Sequence, residues 1–254
     1  VNDGWRRARD YFREQGGEEL AISKLERLAR IFDKQDKFQL ELEVYEYLIA
    51  SNKDGKKVPE YAEKITANYK DQNMVEKTEE TINRFVEYFD PNRKWYSINS
   101  QYEEPRIRAD QYREEQIDYL ISKFHIKAQE DEKKGKPKEG VDELYRKAAK
   151  YYEKFIALFP ESKDLYEKEY FLAEIYYFQP TKLVEKDGVK TYVQDWDQAS
   201  KHYRRVVEID PKGKYSTESA YAIILARQEK LVQAGLVKDT GRKSGRKGKR
   251  RSRI

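Results

Sequence analysis

The sequence predicts an all-α chain built as an antiparallel helix-hairpin solenoid. Three observations predict it: apolar residues recur at helical spacing along most of the 254 residues, helix breakers are scarce, and one motif occurs twice with all its spacings kept. Hydrophobic residues make up 38% and charged residues 39%. That balance supports a thin core in which each unit buries one face against its neighbours and leaves the rest wet. Twelve Gly and seven Pro are few for so long a chain, and Glu, Lys, Arg, Ala and Leu favour helices.

The helical stripes follow in order. Ile22, Leu25, Leu28 and Phe32 step by three and four, as do Phe38, Leu42, Tyr45 and Ile49. Ala62, Ile65 and Tyr69 form a third stripe, and Val75, Thr78, Ile82, Phe85 and Phe89 a fourth. Ile117, Leu120, Ile121, Phe124 and Ala128 continue the pattern. Lys53-Asp54-Gly55, Asp71-Gln72-Asn73 and Asp90-Pro91-Asn92 break it, at the length that joins antiparallel helices. No stretch reads as a strand.

This periodicity divides the chain into four parts. Residues 1–130 are an N-terminal helical-hairpin region. Residues 131–140 (DEKKGKPKEG) are a charged loop or hinge. Residues 141–236 form a C-terminal repeat region, and residues 237–254 a basic tail that is too polar to bury enough surface to order itself.

The repeated motif lies in the C-terminal region. Its first copy is Ala148, Tyr152, Phe155, Pro160, Tyr170 and Leu172, and its second is Ala199, Tyr203, Val206, Pro211, Tyr221 and Ile223. The small residue lets two helices approach closely, the aromatic four residues on shares its face, and the proline ends the helix. This pattern resembles the tetratricopeptide repeat (TPR), a helix-pair unit of 34 residues with small and aromatic residues at these offsets and a closing proline. Leu172-Ala173-x2-Tyr176 also resembles an element of its first helix. The two copies stand 51 residues apart, so an insertion separates the helices of one repeat. It falls near 180–193, where Pro180, Asp187 and Gly188 suit a loop.

YYEKFIALFP (151–160), FLAEIYY (171–177) and the segment 196–221 are further similar to bacterial cell-envelope TPR proteins of the Tol–Pal-associated, outer-membrane-assembly and gliding-motility kinds. The resemblance implies a TPR-like superhelix acting as a non-catalytic scaffold. It also implies a place in the periplasm or at the outer membrane, with the cytoplasm left open. In such arrays the first helix of each repeat lines a concave face. Here that face would hold Glu167, Tyr170, Glu174 and Tyr177, then Glu218, Tyr221, Leu225 and Gln228. Carboxylates beside aromatic rings suit a basic or amphipathic segment of a protein or peptide partner.

Charge defines a second object. The net charge of +5 hides a tail with eight basic residues and no acid: Arg242, Lys243, Arg246, Lys247, Lys249, Arg250, Arg251 and Arg253. The other 44 basic and 47 acidic residues leave the body at −3. The tail supports an alternative expectation, ranked second: a nucleic-acid-associated repeat protein that neutralises phosphates through these residues.

Other chemistry finds little footing. The absence of cysteine excludes disulfides, thiolate zinc sites and cysteine nucleophiles. His125 and His202 lie far apart without metal-ligand spacing, and His202 is expected at the solvent surface. No phosphate loop or nucleophile motif appears, so catalytic residues, metal and cofactors are all expected to be none. Asp195-Trp196-Asp197 reads as a helix start with Trp196 as its anchor. No apolar run is long enough to span a membrane. The start at Val1 fits a mature form or a segment of a longer protein. Most of the 21 tyrosines are expected as filler between helices, the others as groove residues.

Overall fold

The computed structural model describes residues 4–237. Among the described residues there are ten helices and a single two-stranded sheet, an all-α architecture of successive helix hairpins. The basic tail expected to be disordered, including all eight basic residues of 242–253, lies outside the described residues. The chain divides into two compact units, Val1–Gln116 and Ile117–Ile254.

The first unit comprises α1 (Gly4–Asp33), α2 (Phe38–Ser51), α3 (Val58–Asp71), α4 (Val75–Tyr88), α5 (Lys94–Ile98) and the start of α6 (Glu103–Lys133). All three breaks expected in this part fall between helices. Within α1, Gly16 and Gly17 leave helical geometry, and Gly17 takes φ 78° and ψ −174°, a conformation essentially reserved for glycine. Ala8 and Phe12 before the kink and Leu25, Leu28 and Ile31 after it line one cleft of about 300 Å³, so the two arms lie side by side. The core gathers Leu25, Tyr45, Ile65, Phe85, Trp95 and Tyr112 around the stripes read above.

Four of the described helices end in the same way. The residue after α1's last turn, Asp36, has φ 53°, and Lys37 N–H reaches back to the Phe32 carbonyl while Asp36 N–H bonds to Asp33. Asn73, Gly135 and Gly235 repeat the arrangement after α3, α6 and the last helix, Ser216–Gln233. This pair of bonds satisfies the last carbonyls and needs a left-handed residue, which Asp, Asn and Gly supply at least cost.

The second unit comprises the rest of α6, α7 (Lys138–Leu158), α8 (Leu165–Phe178), strands β1 (Lys182–Lys186) and β2 (Val189–Val193), α9 (Trp196–Ile209) and α10 (Ser216–Gln233). Helix α7 packs on α8, α8 on α9, and α9 on α10. Two expectations are corrected here. The charged segment 131–140 is mostly helix, with only residues 134–137 between α6 and α7. Its Asp, Glu and Lys are helix-compatible, and the Lys127–Asp131 pair (2.8 Å) and the Lys134–Glu130 pair (3.8 Å) hold the last turns of α6. The unit boundary therefore falls inside α6, at 116/117.

The insertion at 180–193 is a β-hairpin, not an irregular loop. Strand β1 pairs antiparallel with β2, from Lys182 opposite Val193 to Lys186 opposite Val189. Asp187 (φ 52°) and Gly188 (φ 76°) make a two-residue turn with both φ positive, the form whose twist matches that of the strands.

Helix α9 opens where its sequence indicates. Asp195 caps it by accepting a bond from Gln198 N–H at 3.2 Å. Among the described residues no helix is long and apolar enough to cross a membrane.

Candidate partner-binding site

The predicted row of groove residues divides between two helices with different surroundings. Helix α8 is buried nearly all round, from Leu165 to Tyr177, because it lies between α7 and α9. Tyr170 and Tyr177 are therefore core residues. Tyr170 stacks on Tyr215 at 3.9 Å and donates to Glu218 at 3.2 Å. Tyr177 meets Trp196 edge-on at 5.2 Å and Tyr203 at 6.2 Å. Glu174 is half-buried and accepts from the Tyr203 hydroxyl, leaving Glu167 as the exposed member on α8.

The α10 members stay at the surface. Tyr221 is 60% exposed, Glu218 and Gln228 are exposed, and Leu225 is half-buried. Ile224 (63% exposed) and Leu231 (43%) share the face of Tyr221 and Gln228, at spacings of three, four and three. This gives an apolar stripe bordered by Glu218.

His202 is corrected from the solvent surface to the interior. Its Nδ1 lies 2.5 Å from Glu169 Oε2, and its ring stacks on Tyr176 at 5.6 Å. Arg205 Nε stands 3.9 Å from the other Glu169 oxygen. The signal was present in the sequence: Ala199, His202, Tyr203 and Val206 form one stripe at helical spacing, and all four are buried. The other histidine, His125, is also buried, with Nδ1 3.0 Å from the Tyr152 hydroxyl and Nε2 3.1 Å from the Gln129 amide nitrogen. Burial lowers its pKa from 6.5 to about 4, so the imidazole is neutral in the folded chain.

Sequence reading missed a second surface feature, a groove between α9 and α10 with a volume of about 380 Å³. Asp197, Ser200, Lys201, Arg204, Arg205 and Glu208 line it from α9, Arg227 and Lys230 from α10, and Trp196 closes one end. Five of these side chains are cationic and two are carboxylates. Lys230 Nζ pairs with Asp197 at 2.7 Å, and Arg205 with Glu208 at 3.1 Å. Among the described residues, Lys201, Arg204 and Arg227 make no ion pair. The Trp196 Nε1 is buried without a partner. The groove is thus a set of unused donors facing one space. It escaped the sequence reading because it needs two helices in register, and neither helix alone carries a basic run.

Among the described residues no group of three or more His, Asp or Glu side chains is placed to hold a metal ion. No protein-family model matches this chain, and no curated protein sequence matches it.

Proposed function

We propose that this chain is a tetratricopeptide-type scaffold that binds a protein or peptide partner without catalysing a reaction, and that it serves a bacterial cell-envelope assembly. One observation carries the architectural part. The first three positions of the motif are buried alike in both copies: Ala148 and Ala199, Tyr152 and Tyr203, and Phe155 and Val206 are each at most 1% exposed, whereas Tyr170 is buried and Tyr221 is 60% exposed. Pro160 and Pro211 each stand two residues beyond the end of a helix. Helices kept equivalent in packing at these positions are what a stacked repeat requires. The envelope setting rests on the resemblance of 151–160, 171–177 and 196–221.

The partner-binding part rests on α10. Its stripe of Tyr221, Ile224 and Leu231 beside Glu218 suits a basic amphipathic helix, whose apolar face covers the stripe while its Lys or Arg meets the carboxylate. The test is photo-crosslinking of the full chain to a Leu/Lys amphipathic helical peptide. With the crosslinker at position 221 or 224, adducts are expected, and at exposed position 143 none. Glu218→Lys with Ile224→Asp is expected to weaken binding at least tenfold. Equal labelling at position 143 would sink this reading.

The eight basic residues of 242–253 favour a second reading, a nucleic-acid-associated arm. It predicts an affinity for oligonucleotides that falls steeply with salt and vanishes when 238–254 are removed.

A further inference from the structure

The geometry points to the α9–α10 groove as a binding site for an acidic peptide segment, a second docking surface distinct from the α10 stripe. The inference rests on the reading of the chain as a protein-binding scaffold and deepens it by naming a partner chemistry.

Two independent observations converge on this groove. Lys201, Arg204 and Arg227 face it from two helices with no carboxylate paired to any of them, while Asp197 and Glu208 are each engaged by a lysine or arginine in the same lining. The Trp196 indole N–H at the end of the groove is buried and has no partner. Buried donors in native proteins are almost always satisfied. One orphaned buried donor and three unpaired cations around one space match what an anion supplies: acceptor lone pairs and negative charge.

The lining also selects among anions. From Asp197 to Glu208 the α9 wall spans eleven residues, about 16 Å at the helical rise. That accommodates about five residues of extended chain at roughly 3.3 Å each. The wall has a carboxylate at each end, Asp197 and Glu208, and Lys201, Arg204 and Arg205 between them. Nucleic acid presents a negative charge at every step and would meet Asp197 and Glu208 unfavourably. A short peptide with acidic side chains at its centre and an apolar residue against the Trp196 ring fits the same pattern.

The indole resonances provide the test. In the ¹⁵N–¹H spectrum of the full chain, the Trp196 N–H is identified by its loss in Trp196→Phe. A blocked pentapeptide with Glu at its three central positions and Leu at both ends is then titrated in. The expected result is a saturable shift of the Trp196 resonance with those of Trp5 and Trp95 unmoved. Arg204→Glu with Arg227→Glu, both at exposed positions, is expected to raise the Kd at least tenfold with the circular dichroism unchanged, and the matching alanine pair to raise it less. An unmoved Trp196 resonance overturns the inference. So does an unchanged Kd in the charge-reversed chain, since the peptide would then be held elsewhere, for instance by the basic tail. A thymidine oligonucleotide that shifts Trp196 at lower concentration than the peptide overturns the peptide assignment. Binding of the basic amphipathic helix is read on the unmodified chain: if that helix binds while the acidic peptide leaves Trp196 unmoved, the groove assignment falls and the scaffold reading stands.

Discussion

At the residue scale, His125 and His202 show how a polar side chain earns a place in the interior. His202 sits against Glu169 and Tyr176, and His125 against Tyr152 and Gln129, so each burial comes with hydrogen-bond partners. The two differ in what faces them. His202 has a carboxylate, whereas desolvation alone holds the His125 pKa near 4. The unfolded chain therefore takes up a proton at His125 below pH 6.5 that the folded chain refuses until about pH 4. Stability from this residue is complete above pH 6.5 and is lost as pH falls toward 4. At about 1.4 kcal/mol per pH unit the loss approaches roughly 3 kcal/mol. Urea midpoints measured from pH 7 to pH 4 should fall more steeply for the wild-type chain than for His125→Gln. Parallel curves would mean that His125 protonates freely in the folded state. Single positions were legible in the sequence where spacing spoke for them. Ala148, Ala199, Tyr152 and Tyr203 were read as packing residues and are fully buried. His202 was misread because residue type was weighed above its place on the apolar stripe.

At the scale of elements, most helices follow from periodicity, and the departures have local causes. The hairpin at 182–193 was hidden because its strands are short and mostly exposed, so no alternation of burial marks them. Its one clear signal is the Asp187-Gly188 pair, which was read as loop chemistry although it is also the strongest hairpin turn. The hairpin contributes little to the packing of its unit. It is tied to the helices by the stacking of Arg146 over Tyr192 at 4.1 Å and by the bond from Arg146 to the Pro180 carbonyl at 3.3 Å. Replacing Leu183–Tyr192 with Asn-Gly would turn the chain directly between the paired Lys182 and Val193. The lost cation–π contact is worth about 0.5–1 kcal/mol, which corresponds to about 2–4 °C in Tm. Calorimetry should find a change of that size with the helical circular dichroism retained. A fall beyond about 10 °C would show that the hairpin belongs to the core of its unit. The kink at Gly16-Gly17 was also unread, since one apolar stripe resumes at Ile22 and nothing before it repeats.

At the scale of the whole molecule, the tyrosines decide how the core behaves. In a chain so rich in charge, they supply much of the interior volume while keeping a hydroxyl that must find a partner. The partners are often carboxylates. Tyr61 donates to Glu26 at 2.5 Å, Tyr176 to Glu153, and Tyr203 to Glu174. Others are buried against neutral groups, as Tyr112 is against the Thr66 hydroxyl at 2.7 Å. Burial raises the pKa of Tyr45, Tyr61, Tyr112, Tyr152 and Tyr176 well above 10, and for Tyr61 and Tyr176 the neighbouring carboxylate raises it further. Each of these phenols gives up its proton more readily in the unfolded chain. The stability they contribute is complete below pH 10 and is lost as pH rises beyond it. They lie in both compact units, so alkali acts on the two cores together. Phenolate absorbance followed through an alkaline titration should show a cooperative step that coincides with the loss of helical circular dichroism, as opening of the fold releases these protons. A smooth ionisation of all the tyrosines with the helical signal intact would refute this, and would return the buried tyrosines, Tyr170 and Tyr177 among them, to solvent-accessible positions on a groove.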